Sequence, residues 1–344
     1  MGRAGRAAGA ALVALLAPAL LASAAADRAQ LLAPAARLRG SAQAAASCEP
    51  VNTRPIIGIL TQPDASEGGE YIAASYLKFV ESAGARAVPV RFKADEAELR
   101  RTFDAINGLL LPGGAADLEP GHKYFDASEK LFGWALEANK KNTVFPIWGT
   151  CLGFEQLNVL AAGSNYTVLK ASGDYDAEDF PAPVHFTDKA ASSEMFGNMP
   201  DWLQKSIQQD SITFNAHASG IHPDVFASNP TLSGFFNDLA TFHDRKGRQF
   251  VAAVEAKNGL PIYAVQFHPE KSVFEWHLPS NIPHQSNAVY LSQYLGNLFV
   301  SKARCNTHQY PGGFEEAQTQ LVEAIGSRVV NTSAYFTEVY LFSR

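Results

Sequence analysis

An apolar run, Phe145-Pro146-Ile147-Trp148, enters Gly149-Thr150-Cys151-Leu152-Gly153, and a helical pattern follows through Phe154-Glu155-Gln156-Leu157. A buried strand passing through a tight turn straight into a helix leaves few folds open, because such a strand must be covered on both faces. The turn has the form of a nucleophile elbow, G-x-C-x-G in place of G-x-S-x-G. Its glycines permit close backbone approach, and the reading places the Cys151 sulfur exposed above the sheet. A helix N-terminus there favours a thiolate and offers the Leu152 amide to a developing oxyanion. Taken alone the motif is short, and a buried inert cysteine is the competing reading.

Two further stretches bear on it. Pro261-Ile262-Tyr263-Ala264-Val265-Gln266-Phe267 reads as a strand ending in His268-Pro269-Glu270. A thiol needs a base and the base needs an orienting group; His268 and Glu270 supply both residue types at the end of one strand. Gly108-Leu109-Leu110-Leu111-Pro112-Gly113-Gly114 is an apolar strand running into a glycine pair. Gly113 or Gly114 can present the second oxyanion donor beside Leu152, although an ordinary strand-to-loop turn explains that stretch equally well.

The rest of the first half alternates. Arg54–Leu60, Ala87–Val90, Ile106–Leu111 and Val144–Trp148 read as strands. Tyr71–Ala83 (with Gly84 as its cap), Asp95–Phe103 and Ser128–Asn139 read as helices. Alternation of this kind predicts an α/β fold, a three-layer α/β/α arrangement on a mostly parallel central sheet, with ligands bound at the carboxyl ends of the strands. Gly113, Cys151 and His268 all fall at such ends. Further on, Ser233–Thr241 and Gln249–Glu255 read as strands joined by the turn Asp244-Arg245-Lys246-Gly247, Asn287–Ala303 as a helix, and Val339–Phe342 as a last strand.

Pro-Gly-Gly, Gly-Thr-Cys-Leu-Gly-Phe-Glu and Gln-Phe-His-Pro-Glu-Lys, in this order, resemble the gamma-glutamyl hydrolase family. That is the folylpolyglutamate-cleaving branch of the class I glutamine amidotransferase-like (flavodoxin-like) superfamily. The resemblance spans roughly Arg54 to Arg304. Its more specific features are Pro-Ile-Trp before the elbow, Asn215-Ala216-His217, and Glu270-Lys271 followed by Phe274-Glu275-Trp276. It implies a catalytic set of Cys151, His268 and Glu270, with His217 and Glu155 near the substrate. It also implies a poly-gamma-glutamylated folate as small-molecule substrate, no cofactor and no metal, with a homodimer left open. From the residues alone, His217 reads as a histidine in a surface loop and Glu155 as an acid favouring its helix N-terminus. Lys271 and nearby arginines are candidates for holding substrate α-carboxylates. Two rivals remain: a hydrolase of another gamma-glutamyl compound, and a lumenal binding protein of the same fold without turnover.

The chain opens with Arg3 and Arg6, an apolar run from Ala8 to Leu21, and Ala22-Ser23-Ala24. That is the form of a secretory signal peptide over residues 1–24, the run being short for a membrane span. An uncleaved anchor is the alternative, and no later stretch is long and apolar enough to span. Residues 25–53 read as an Ala-rich linker or propeptide, and 54–344 as one catalytic domain. The expected location is the secretory pathway: extracellular, lysosomal or vacuolar. The formal charge is −6. With no basic patch interleaved with aromatics, nucleic acid is not an expected partner. Three cysteines leave at least one thiol unpaired or bonded between chains. Cys151 is the one to leave free. Cys48 with Cys305 is open, though Cys48 falls in the linker. Asn165-Tyr166-Thr167 and Asn331-Thr332-Ser333 are glycosylation sequons. Asp174, Asp176, Glu178 and Asp179 cluster in a loop without EF-hand spacing, and read as a solvated face.

Overall fold

The computed structural model describes residues 48–64, 69–277, 280–330 and 336–343. The proposed leader, most of the linker and the sequon at Asn331 lie outside the described residues.

The main sheet has eight strands. In chain order they are β1 (Ile56–Leu60), β2 (Arg86–Val90), β3 (Gly108–Leu111), β4 (Ile147–Thr150), β5 (His185–Phe186), β6 (Phe236–His243), β7 (Gln249–Ala256) and β8 (Ile262–Val265). Their spatial order is β2-β1-β3-β4-β8-β7-β6-β5. The first five in that order are mutually parallel, and β7, β6 and β5 extend the sheet antiparallel. The sheet is therefore mostly parallel, as the alternation requires. Period-2 geometry sorts its residues onto two apolar faces. Ile57, Ile59, Leu110, Trp148, Tyr263 and Val265 face one core, which includes Phe79 and Phe299. Ile56, Leu60, Leu109, Leu111, Ile147, Ile262 and Ala264 face the other, which includes Phe103, Phe125 and Phe154. Continuous apolar runs are what burial on both faces demands.

Helices α1 (Ala74–Ser82), α2 (Glu96–Ala105), α3 (Lys123–Lys140), α4 (Leu152–Ala161) and α5 (Ser286–Ala303) provide the outer layers. Asp95 caps α2 by accepting from the Glu98 N–H, and Gly84 takes φ 85° just past α1. The helix expected from Ser128 already begins at Lys123, and the strand expected from Val144 begins at Ile147; two further departures change the element type. Residues 70–73 are a strand rather than the first turn of α1, because Tyr71 and Ile72 pair with Leu341 and Tyr340 of the strand Glu338–Phe342. That pairing partner lies at the far end of the chain, and it overrides the local helical spacing. Residues 233–235 close a short helix, Pro230–Phe235, instead of opening β6. Asn229 caps it through the Thr231 and Leu232 amides, and Pro230 presets its first turn.

Of the acidic cluster, Asp174 and Glu178 are exposed, as expected of a solvated face, and the other two carboxylates have partners. Asp176 pairs with Arg245 and Lys246 at 3.1 and 3.6 Å, and Asp179 accepts from Ser280 and Asn281. Cys48 and Cys305 form a disulfide with Cα atoms 5.8 Å apart. Residues 48–53, expected in the linker, are thereby fastened down, and the Val51 and Asn52 amides both donate to the Arg304 carbonyl.

Candidate active site

Register places the site. Val265 of β8 lies opposite Thr150 of β4, and Leu111 of β3 opposite Gly149. The segments that leave these three strands therefore emerge side by side, carrying Gly113-Gly114, Cys151 and His268.

Cys151 is the N-cap of α4, with φ 53° and ψ −109°. For a residue with a Cβ this is strained backbone, the kind of cost found at nucleophile turns. The turn is possible because its glycines face one another and the neighbouring strand. A Cβ on Gly149 would lie 2.6 Å from the Gly153 carbonyl, and one on Gly153 would overlap the Leu111 carbonyl. The thiol is not exposed above the sheet as expected; the residue is only 6% accessible. Gly113, the strand end at Ala216 and His268 close over it. The Ala216 carbonyl is 3.9 Å from Sγ. A Cβ on Gly113 would stand 3.2 Å from Cys151 Cβ, 2.8 Å from His268 Cε1 and 2.6 Å from the Tyr76 hydroxyl. Position 113 is thus the meeting point of all three side chains.

His268 is buried, and its Nδ1 lies 2.7 Å from Glu270 Oε1. A carboxylate can only accept here, so Nδ1 carries the proton and Nε2 keeps the basic lone pair. The Tyr76 hydroxyl accepts from the Gly113 amide at 2.8 Å and stands 3.3 Å from His268 Nδ1. Burial raises the Tyr76 pKa well above its ordinary value, and Glu270 adds to this by its charge and a hydrogen bond, so this phenol stays neutral. Helical spacing within 71–83 makes Tyr76 a core position and no more. Its hydroxyl carries a role that only the tertiary arrangement reveals.

Burial pushes the Cys151 thiol well above its ordinary pKa, and the charges of Glu155 and Glu270 add to this. The Leu152 amide and Lys271 pull the other way and do not prevail. The expected thiolate is therefore corrected: desolvation and two carboxylates outweigh the helix terminus, and the resting group is a thiol.

His217 ends the buried strand Thr213–His217, not a surface loop. Its Nδ1 is 2.6 Å from the Ser219 carbonyl and its Nε2 3.2 Å from Asn215 Oδ1. Burial lowers its pKa to about 3, with His268 contributing, against a smaller opposing effect of the Ser219 bond. The ring is neutral and has one proton to donate, while each of its nitrogens faces an oxygen acceptor. Glu155, in the first turn of α4, is buried and accepts from Gln266 Nε2 at 3.0 Å. Burial raises its pKa to about 7, the Gln266 bond opposing. Lys271 is also buried, its ammonium 4.5 Å from the Phe336 ring centroid. Of the two candidate oxyanion glycines, Gly113 already spends its amide on Tyr76, and Gly114 packs its Cα against the Gln62 side chain. The Leu152 amide lies against the Cys151 sulfur.

A cysteine on a strand–helix elbow, with a His–Glu pair on the adjacent parallel strand, defines a class of α/β protein built for nucleophilic chemistry at the carboxyl edge of its sheet. Within that class the chain belongs to the peptidase C26 family, which it matches over residues 55–270. Its relatives include gamma-glutamyl hydrolase B of Dictyostelium discoideum, 40% identical over 76% of this chain and 75% of that one. The rat gamma-glutamyl hydrolase is 38% identical over 86% and 92% of the two chains. The human gamma-glutamyl hydrolase is 37% identical over 84% and 90%.

Proposed function

We propose that the protein hydrolyses gamma-glutamyl amide bonds, with folylpoly-gamma-glutamates as substrates, through a thioester on Cys151. The observation that carries this is the convergence of Cys151, His268 and Tyr76 on Gly113, with Glu270 behind the imidazole. The names of the relatives supply the bond class. His268 Nε2 removes the thiol proton as Sγ attacks the amide carbon. Since the resting thiol is neutral, the base has a proton to move in that step. Charge on the carbonyl oxygen is met by the Leu152 amide and by the amide of Gly113 or Gly114. The Gly113 amide is already engaged by Tyr76, which puts more weight on Gly114. The imidazolium, held by Glu270, returns the proton to the leaving amine nitrogen as the C–N bond breaks. Water then attacks the thioester with His268 as base, and the thiol is restored as the acid product leaves. His217, a neutral ring held by the Ser219 carbonyl and Asn215 Oδ1, contacts substrate from the end of its strand, and Glu155 lines the same site. Incubation with pteroylpentaglutamate, with products sized by chromatography, tests the proposal. Shortened pteroylglutamates and free glutamate species are expected. An unchanged substrate removes it in favour of a binding protein.

The N-terminal pattern supports entry into the secretory pathway with cleavage after Ala24. N-terminal sequencing of protein from eukaryotic culture medium should find a start close to Ala25; Met1 there would count against it.

A further inference from the structure

We infer that Trp276 is a stacking platform for the aromatic end of the substrate, an inference that rests on the folylpolyglutamate reading above. Trp276 is 68% exposed, the highest value among the exposed large apolar side chains. A ring that serves the core is buried, and an exposed one is ordinarily free to move. This ring is held. Its indole N–H donates to the Val273 carbonyl at 3.2 Å, so its polar edge is spent within its own turn. One face lies flat on His284, centroids 3.9 Å apart and planes within 7°. His284 is fixed in turn through Nδ1, 3.0 Å from the Ser272 carbonyl. What is left to solvent is one π-face, already oriented.

The platform also has a defined place. It follows His268-Pro269-Glu270 by a single helical turn, Lys271–Phe274. Its Cα therefore stands no more than about 13 Å along the chain from that of Glu270. Ser280 and Asn281, just beyond it, are tied to the strand that pairs with the His217 strand. Asp179 accepts from Ser280 Oγ at 3.0 Å, from the Asn281 amide at 2.9 Å and from Asn281 Nδ2 at 2.6 Å. Asp179 holds φ 47° to do so. It belongs to the strand Ala177–Ala182, which pairs with the strand ending at His217. Along the chain Trp276 thus lies between the turn that carries Glu270 and the loop fastened to the partner of the strand that carries His217. A substrate with its scissile amide at Cys151 and a flat heteroaromatic head can lay that head on the free indole face. Aromatic stacking is insensitive to polar detail, so the platform recognises the pteroyl group by shape.

The test compares wild type with Trp276→Ala, Trp276→Phe and His284→Ala on two substrates: pteroylpentaglutamate, and a gamma-linked glutamate pentamer without the pteroyl group. Stacking remote from the reacting bond is uniform binding, so KM should rise and kcat should hold. We expect Trp276→Ala to raise KM for the pteroyl substrate on the order of tenfold and to leave the pentamer unchanged. Trp276→Phe should retain part of the effect, and His284→Ala should lose part of it by freeing the ring. The pentamer rate reports folding, and an equal loss on both substrates would show a structural role and overturn the inference. So would no loss on either. Calorimetric titration with pteroylglutamate separates this inference from the activity. Weaker binding by Trp276→Ala without any hydrolysis by wild type would leave the platform standing and remove the hydrolase. Normal hydrolysis with unchanged binding would do the reverse.

Discussion

At the scale of single residues, the two histidines differ in what surrounds them, and their variants should differ accordingly. His268 has an acid on Nδ1 and shares the Gly113 contact point with Cys151. His217 has a carbonyl and an amide as partners. Cys151→Ala should abolish hydrolysis. His268→Asn should approach it, since general acid–base catalysis is worth about 10²–10⁴-fold and the thiol would also lose its base. The double variant should be scarcely worse, because the pair acts as one unit. His217→Asn should weaken binding and lower turnover only in part. Steady-state kinetics decide this, and a His217 variant as inactive as His268→Asn would mean that the base is misassigned. Glu155 sets a pH effect on stability. Its folded pKa of about 7 lies above the ordinary 4.5. The protonated form is the favoured one in the fold, so its contribution is complete below about 4.5 and is lost as pH rises through 7. Glu155→Gln should remove that decline, whose size is about 3 kcal/mol from the shift. Thermal midpoints at pH 5 and pH 7 measure it. If the midpoints of wild type and variant fall equally between those pH values, another group is responsible.

At the scale of elements, the elbow stores strain that a substitution can expose. In ordinary backbone, alanine is more stable than glycine by roughly 0.5–1 kcal/mol. At φ 53° the order should invert, and Cys151→Gly should melt above Cys151→Ala. Gly113 is limited by space instead. Gly113→Ala drives a methyl into Tyr76, His268 and Cys151 together. Activity should fall by 10² or more, since a displacement of about 1 Å at a reacting group has that effect. Overpacking should cost only about 1–3 kcal/mol of stability. Calorimetry beside a rate assay checks the combination, and full activity in Gly113→Ala would show that the three side chains do not converge in solution. These elements were legible in the sequence where local pattern and burial agree. The apolar run before Cys151 could only be a covered strand, and the glycines marked the turn. Residues 70–73 were not legible, because their partner strand lies some 270 residues away. Nor was Tyr76, since nothing in helical spacing separates a buried hydroxyl with partners from one without. The state of the thiol was misread for a related reason. A helix N-terminus is visible in sequence, whereas the burial and the two carboxylates that outweigh it are brought together only by the fold.

At the scale of the whole molecule, chemistry and fastening occupy opposite edges of the sheet. Cys151, His268 and Gly113 stand at the carboxyl ends of β4, β8 and β3. At the amino ends, Asn107 Oδ1 accepts from the Ile56 amide at 2.7 Å, and Asn107 Nδ2 donates to Asn306 Oδ1 at 3.0 Å. Asn306 Nδ2 reaches the Val144 carbonyl at 2.8 Å. One residue past Cys305, the Asn306 side chain thus links the entries of β3 and β4, and Asn107 carries the link on to β1. The Cys48–Cys305 bond lies beside it and closes a separation of 257 residues. Loop-closure entropy gives such a bond a typical contribution of about 2–4 kcal/mol. For a chain of this size that corresponds to a melting shift of roughly 3–6 °C. We therefore expect Cys48→Ser with Cys305→Ser to melt several degrees lower than the oxidised wild type, with kcat and KM at 25 °C unchanged, because no catalytic group touches that edge. Reduction of the wild-type bond under native conditions should give the same pair of results. A loss of turnover at 25 °C without loss of folded protein would show instead that the two edges are coupled through the strands between them, and that fastening at the amino ends sets the register on which the site depends.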